Sequence, residues 1–310
     1  MKFGGNALMA ERQDTRLTPS VLVADDWQDY ALLDSGAGRK LERYGSIVVD
    51  RPDPQAFWPK ALPAQNWQSA HAAFAGGDEE ESGRWRHDKK IPDSWPMQWD
   101  GIKLNARLAA FRHLGVFPEH SVHWRWAQDA IQGAEKPQVL NLFGYTGMAS
   151  LALAKAGAHV THVDASKKSI GWGRENQALS GLDSAPIRWI CDDAMAFVRR
   201  ELRRGRTYHG IILDPPKHGR GPNGEVFELW EALPELLESC ARLLDPKARF
   251  LIATVYAVRA SFLAVHQGLD AALTTANAPK GVIESGEMTL LEQSAGRLLP
   301  TAIFARWRGL

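Results

Sequence analysis

Cysteine is scarce in this sequence, which has only Cys191 and Cys240 among its 310 residues. The two lie far apart and stand in apolar patterns, which argues against a framework of disulfide bonds. This usage fits a reducing compartment, and we predict a cytoplasmic protein. We also predict that both thiols belong to the core.

Long apolar runs and a strong net charge are absent as well. No stretch reaches the roughly 18 apolar residues of a membrane-spanning helix, and the first residues lack the continuous apolar core of a signal peptide. The net charge is +1, so an RNA substrate is permitted but not required. The histidines show no metal-binding spacing, and we predict no metal site.

The most informative stretch is VLNLFGYTGMAS, residues 139–150. An apolar run leads into a turn with two glycines, and small residues in a helical pattern follow, which predicts strand, tight turn and helix. The next segment, HVTHVDA, predicts a second strand that ends at Asp164. A glycine-bearing first turn followed by an acid at the end of strand two is how α/β sheets hold a nucleoside.

The chain divides into two predicted parts. After residue 138, strand patterns alternate with helix patterns, and two strand patterns joined by SAGR close the sequence. This order predicts an α/β fold with a Rossmann-like, doubly wound sheet of seven strands, the last hairpin being antiparallel. We predict a β-rich, Trp-rich N-terminal domain over residues 1–120, with a polar arm at 1–20 and a loop at 76–83. Residues 121–310 would form the nucleoside-binding domain.

Four segments and their spacing resemble a known family: LNLFGYTG at 140–147, VDAS at 163–166, DDAMAFV at 192–198 and ILDPPKHG at 212–219. They resemble class I S-adenosylmethionine-dependent methyltransferases, and within them the bacterial rRNA large-subunit methyltransferases of the RlmI and RlmK type. The resemblance implies S-adenosyl-L-methionine as cofactor, an RNA substrate, and a methyltransferase domain over residues 121–310.

The resemblance assigns the first turn to the methionine end of the cofactor, whose carboxylate the turn's amides would bind. The wider class prefers a carboxylate and three glycines in this turn. Here three of those four positions hold other residues, a departure that is typical of the subgroup. The expected contacts are Asn141, Phe143, Gly144, Tyr145, Thr146 and Gly147.

Two acidic segments are assigned to the nucleoside. Asp164 would take the ribose hydroxyls, although it could instead cap a helix, a role that Ser166 can also fill. One carboxylate of the pair at 192–193 would accept from the adenine amino group, and the family's spacing favours Asp193. Both acids could instead open a helix N-terminus, and the choice between them stays open. The expected contacts are Asp164, Ala165, Ser166, Asp192, Asp193 and Ala194.

The reaction centre is expected where a fourth strand runs into two prolines, which force a rigid extended turn and hold Asp214 in place. In amino-group methylases the next residue is usually an aromatic that stacks on a flipped base. Here it is Lys217, which could hold a phosphate or cap a loop. Phe117 and Glu119, which match an element before the sheet in the related enzymes, are further expected cofactor contacts. The expected catalytic residues are Asp214, Pro215, Pro216 and Lys217, and Asp214 is also an expected cofactor contact.

Cytosine C5 methylation needs a cysteine thiolate. Enzymes of the RlmI type have a cysteine just past strand five, whereas the corresponding stretch here, ATVYAV at 253–258, has none. We therefore predict RNA methylation without a covalent cysteine. The alternatives are a methyltransferase for a small molecule or protein, and a non-catalytic adaptor that binds cofactor or RNA. The intact Asp-Pro-Pro segment argues against the adaptor.

Tryptophan is dense between residues 58 and 126. These rings could form a platform that stacks on unpaired bases, or they could fill a small core. Both interpretations stay open. One compact basic cluster surrounds Trp85, and we call it the basic cluster: Arg84, Arg86, His87, Lys89 and Lys90.

Overall fold

The computed structural model describes residues 17–76, 83–109, 112–256 and 260–310. The predicted polar arm up to residue 16, and residues 77–82 of the predicted loop, lie outside these ranges. Among the described helices, none has both the length and the apolar character needed to cross a membrane.

The first part of the chain forms short strands, as its turn-rich pattern predicts. The elements are β1 (Ser20–Ala24), β2 (Tyr30–Gly36), β3 (Arg39–Tyr44), β4 (Ile47–Pro52), α1 (Ala64–Gln68), β5 (Ala72–Ala75), β6 (Arg84–His87), β7 (Trp95–Trp99) and β8 (Ile102–Ala106). Strands β2 to β6 form a five-stranded sheet in that order, so β6 is an edge strand.

Strands β7 and β8 form a separate antiparallel hairpin. The two prolines at residues 92 and 96 suggest an extended connector, and that interpretation is wrong for residues 95–99. The reversal comes from Asp100 and Gly101, whose φ angles of 47° and 73° are those of a tight hairpin turn.

The second part alternates helices and strands. A 3₁₀ turn (Pro118–His120) precedes α2 (Ser121–Ala130), β9 (Gln138–Leu142), α3 (Met148–Lys155), β10 (His159–Asp164), α4 (Lys167–Leu179), β11 (Ile187–Cys191), α5 (Ala194–Arg203), β12 (Gly210–Leu213), β13 (His218–Arg220), β14 (Val226–Glu228), α6 (Leu229–Arg242), β15 (Phe250–Tyr256), α7 (Phe262–Thr275), β16 (Gly281–Leu291) and β17 (Leu298–Gly309).

The main sheet has the order β1-β16-β17-β15-β12-β9-β10-β11. Every neighbouring pair is parallel except the two that involve β17. The predicted fold class and the seven predicted strands are confirmed. An eighth strand, β1, joins from the first part and pairs with residues 286–290. Gly286 permits this approach, because a Cβ there would lie 1.9 Å from the Ser20 carbonyl oxygen.

The tryptophans between residues 27 and 126 fill the core. Five are buried, namely Trp27, Trp67, Trp95, Trp99 and Trp124, and Trp58, Trp85 and Trp126 pack against the main apolar cluster. Buried indole N–H groups find acceptors, as in the 2.8 Å bond from Trp95 to the Tyr44 carbonyl. The core-filling interpretation is confirmed for these residues. Because one apolar cluster joins residues of both parts, the division at residue 120 stays a prediction.

Candidate active site

The carboxyl ends of β9, β10, β11, β12 and β15 meet at one edge of the sheet, where α/β proteins of this kind bind ligands. The turn after β9 is tightly wound. Phe143, Tyr145 and Gly147 all have positive φ, at 56°, 50° and 86°. The Gly147 amide donates to the Gly144 carbonyl at 3.0 Å, and α3 begins directly after Gly147. The predicted strand, turn and helix are therefore present.

The two glycines of this turn rest on aromatic rings of neighbouring strands. A Cβ at position 144 would lie 2.3 Å from the His162 ring, and one at 147 would lie 2.6 Å from the Trp189 ring. Gly144 has an ordinary φ, so it is the His162 ring, rather than backbone strain, that requires a glycine there. The His162 and Trp189 rings contact each other with their centroids 4.4 Å apart and their planes tilted by 50°.

A buried polar chain fixes His162 beneath the turn. The Asn141 amide donates to Ser150 Oγ at 2.9 Å, and Ser150 Oγ lies 2.9 Å from His162 Nδ1. Burial lowers the pKa of His162 to about 3, so the ring is neutral at physiological pH. Asn141 was expected at the cofactor; the structure places its side chain within this buried chain.

Asp164 ends β10 with both carboxylate oxygens engaged. The amides of Tyr145 and Ser166 donate to its Oδ2 and Oδ1, each at 2.8 Å. Burial raises the pKa of this carboxyl, and the two backbone bonds oppose the rise. Ser166 caps α4 by accepting from the Ser169 amide, so Asp164 is free of the capping role. It can still accept hydroxyl donors, because a carboxylate has about four acceptor positions.

The acids after β11 both have local partners. Asp193 caps α5 by accepting from the Ala196 amide at 2.8 Å. Asp192 accepts from the Asp193 amide at 2.9 Å and forms an ion pair with Arg200. The helix-capping alternative therefore holds for Asp193, and the adenine role of either acid stays a prediction.

Asp214 follows β12 and differs from the other acids. Its Oδ1 is buried and has no hydrogen-bond partner among the described residues. Its Oδ2 lies 3.5 Å from His120 Nε2. Burial raises the pKa of Asp214; the nearby His120 lowers it, and Glu119 raises it further. The chain then passes through buried Pro215 to the exposed side chain of Lys217.

The segment before α2, which contains Phe117, lies against the carboxyl ends of the strands. The Phe117 ring lies 5.6 Å from Tyr145 and 6.1 Å from Tyr256, both measured between centroids. Phe117 and Glu119 were expected near this site, and the aromatic contact brings Phe117 to it. His120 and Tyr256 were missed. Tyr256 carries a signal that could have found it, since it ends the strand next to β12.

The two cysteines differ in burial. Cys240 is buried in α6, and burial raises its pKa to about 12, so its thiol stays protonated. Cys191 is only half-buried, which corrects the expectation of a core position. Cys191 ends β11 in register with Asp164 of β10. It is therefore distant from the Asp-Pro-Pro segment, because β9 and β10 lie between β11 and β12 in the sheet.

A mostly parallel sheet whose first turn, second-strand acid and fourth-strand Asp-Pro-Pro meet at one edge has the architecture of the class I methyltransferases. The family model of S-adenosylmethionine-dependent methyltransferases matches residues 78–263. The chain belongs to this family and is an S-adenosylmethionine-dependent methyltransferase, which confirms the resemblance and the expected cofactor.

Three relatives illustrate the match. A SAM-dependent methyltransferase from Agrobacterium tumefaciens shares 47% identity and a TM-score of 0.90, with 95% of each chain covered. The methyltransferase SMU.776, complexed with SAH, shares the fold at 18% identity and a TM-score of 0.66, over 91% of this chain and 76% of that one. The ribosomal RNA large subunit methyltransferase K/L of Shewanella frigidimarina is 31% identical over 155 residues, which are 49% of this chain and 21% of that protein. The match thus covers about a fifth of that relative's length.

S-adenosylmethionine fits the residues at this edge. Asp164 is a fixed acceptor for hydroxyl donors, and the turn after β9 is bonded to it through the Tyr145 amide, so the turn and this acceptor lie together at the strand ends. In the described part of the chain, no group of three or more His, Cys, Asp or Glu could hold a metal ion.

Proposed function

We propose that this methyltransferase modifies RNA, at a base atom whose methylation requires no cysteine nucleophile. The observation that carries the proposal is Asp214, which follows β12 next to the double proline and whose buried Oδ1 has no hydrogen-bond partner in the described part of the chain. Such an oxygen is suited to accept a hydrogen bond from an incoming base. The sequence match to an rRNA methyltransferase supports RNA as the substrate class. The high pKa of Cys240, about 12, disfavours it as a thiolate nucleophile.

The cofactor would lie along the strand ends, where it supplies a methyl group bound to a positively charged sulfur. In this proposal Asp164 accepts from the ribose hydroxyls, and the turn from Gly144 to Gly147 lies against the methionine end of the cofactor. The amides of Gly144, Tyr145 and Gly147 already donate within the protein, so they are not the groups that bind the methionine carboxylate. Asp192 or Asp193, with Ala194, would meet the adenine. The fixed Asp164 carboxylate supports its part, because an acceptor held in place by two amides needs no reorganisation on binding.

The basic cluster is the RNA-contacting surface that the proposal favours. Its five basic side chains are exposed on or just after the edge strand β6. The indole N–H of Trp85, in the middle of this strand, donates to the Ala109 carbonyl at 2.8 Å. Residue 109 lies in the chain that leads to Phe117, so the cluster connects to the active-site edge through this bond. An N-terminal domain that binds substrate, and a cytoplasmic location, belong to the same proposal.

The test uses tritium-labelled S-adenosylmethionine and total ribosomal RNA from a strain that lacks the gene. The wild-type protein is expected to transfer label to that RNA and not to RNA from the parent strain, whose site is already methylated. Ribosomal protein and small-molecule extracts of the same strain are assayed in parallel. Label in one of those pools and none in RNA would contradict the RNA substrate.

A further inference from the structure

His120 faces the reaction centre from the 3₁₀ turn before α2. Its Nε2 atom lies 3.5 Å from Asp214 Oδ2, and the two side chains keep only 12% and 20% of their exposure. Because 3.5 Å exceeds the roughly 3.2 Å limit of a good N–H···O hydrogen bond, the two side chains do not satisfy each other, and both keep hydrogen-bonding capacity for a third group. Asp214 Oδ1, for which the described residues supply no hydrogen-bond partner, is part of the same site.

We propose that His120 is the proton acceptor of the methyl transfer, and that the target atom carries a hydrogen before it is methylated. This inference rests on the proposed function and narrows its substrate to an amine, a ring N–H or a hydroxyl. Asp214 would accept a hydrogen bond from the target and thereby orient it. Neutral imidazole is the usual side chain for this task, and general-base catalysis typically contributes about 10²–10⁴-fold to the rate.

The atoms and electrons of the step balance. The lone pair of the target atom forms a bond to the methyl carbon while the carbon–sulfur bond breaks, and the electron pair of that bond returns to sulfur, which becomes a neutral thioether. The hydrogen of the target leaves as a proton and binds Nε2 of neutral His120. The Asp214 carboxylate stabilises the imidazolium cation, which then loses its proton to solvent.

Three titratable groups face His120. Asp214 approaches from the end of β12, Glu119 precedes His120 in the same turn, and the His123 ring lies 6.3 Å away on α2. Burial holds the pKa of His123 well below its usual value, so His123 stays neutral.

The test compares kcat and the affinity for S-adenosylmethionine in His120→Gln. The acceptor is whichever of the three pools, ribosomal RNA, ribosomal protein or small molecules, the wild type labels. We expect kcat to fall about 100-fold with unchanged cofactor affinity. His159→Gln is the control, since His159 lies at the opposite, amino end of β10.

A second variant separates proton transfer from structure. In His120→Ala, added imidazole is expected to restore part of kcat, because it supplies the missing base, whereas a residue that only supports the fold would show no such rescue. A His120→Gln enzyme that keeps wild-type kcat across the pH range would overturn the proposal. Label found only in protein or metabolites would instead contradict the RNA substrate and leave the His120 comparison measurable on that acceptor.

Discussion

Asp164 and Asp214 follow parallel strands of the same sheet edge, yet their surroundings differ. Burial raises the pKa of both carboxyls. Asp164 has a backbone amide on each oxygen at 2.8 Å. Asp214 has a histidine 3.5 Å from one oxygen and no described partner on the other.

This difference in hydrogen-bond partners suits the two acids to different tasks, one to cofactor binding and the other to the reaction. A carboxylate held by two amides is fixed before the ligand arrives, and it can add hydroxyl donors without moving. A buried oxygen without a donor costs about 1–3 kcal/mol of stability, and such groups are retained where a ligand supplies the donor. We therefore propose that Asp164 contributes to cofactor affinity and Asp214 to the transfer step.

Asp214→Asn should have the largest effect. The change keeps the shape but removes the charge that stabilises developing positive charge, so kcat should fall about 10²–10³-fold. The affinity for S-adenosylmethionine should remain that of the wild type. Single-turnover transfer of tritiated methyl, with calorimetry of cofactor binding, measures both quantities. A variant that transfers at the wild-type rate would refute the role given to Asp214.

Asp164→Ala should act on binding instead. Loss of two charge-assisted hydrogen bonds to ribose, worth about 3 kcal/mol together, predicts a Kd for the cofactor about 100-fold higher. Asp183→Ala is the control, because Asp183 is an exposed acid in the loop after α4. Calorimetry measures both variants. An unchanged Kd in Asp164→Ala would mean that the nucleoside lies elsewhere.

Gly144→Ala tests the turn that donates an amide to Asp164. The added Cβ would meet the His162 ring at 2.3 Å, and such overpacking costs about 1–3 kcal/mol. Cofactor affinity should fall about tenfold as the turn shifts. In the His162→Ala background the clash disappears, so the added cost of Gly144→Ala should largely vanish in a double-mutant cycle.

The control for this cycle is Gly171→Ala. Gly171 lies on the exposed face of α4 with open space around its Cβ position, so alanine should stabilise the helix by up to about 1 kcal/mol. Urea unfolding gives the free energies of all variants. If Gly144→Ala lowered the free energy of unfolding by the same amount with and without the His162 ring, the ring would not be the reason that position 144 requires a glycine.

The basic cluster should give the smallest effect. Replacing Arg84, Arg86 and Lys89 with alanine should weaken RNA binding and reduce the slope of log K against log salt by about 2, from roughly 0.7 per contact. Filter binding at several salt concentrations measures the slope. The matched control replaces three exposed arginines on β11 and at or after the end of α5, which belong to the main sheet and not to the sheet of β6: Arg188, Arg203 and Arg206. Equal salt slopes for both triple variants would contradict the proposal that the basic cluster on β6 contacts RNA.

Local patterns predicted most of the fold. The periodicity of apolar residues after residue 138 predicts the strands and helices of that part. The position of Asp164 at the end of a predicted strand identifies it as a candidate site residue. The pairing of β1 with residues 286–290 has no local signal, because it depends on a contact more than 260 residues away in sequence and on Gly286. The hairpin of β7 and β8 was missed because Pro96 outweighed the Asp-Gly turn that follows.

The site was predicted only in part, because here too the sequence shows local patterns but not contacts between distant residues. Strand ends locate acids, so the turn and the acids at 164 and 214 could be read from sequence. The partners of each acid could not, because they come from other elements: Arg200 for Asp192 and His120 for Asp214. The sequence also could not show why position 144 requires a glycine. The side chain that leaves no space for a Cβ there is the His162 ring, which lies on another strand, β10.

The most direct test places Asp164→Ala and Asp214→Asn side by side, each titrated with S-adenosylmethionine and each assayed for single-turnover methyl transfer at saturating cofactor. The account predicts that Asp164→Ala loses affinity but transfers once saturated, whereas Asp214→Asn binds the cofactor normally and transfers slowly. If Asp214→Asn lost cofactor affinity, or Asp164→Ala kept it, the assignment of one acid to binding and the other to reaction would be contradicted.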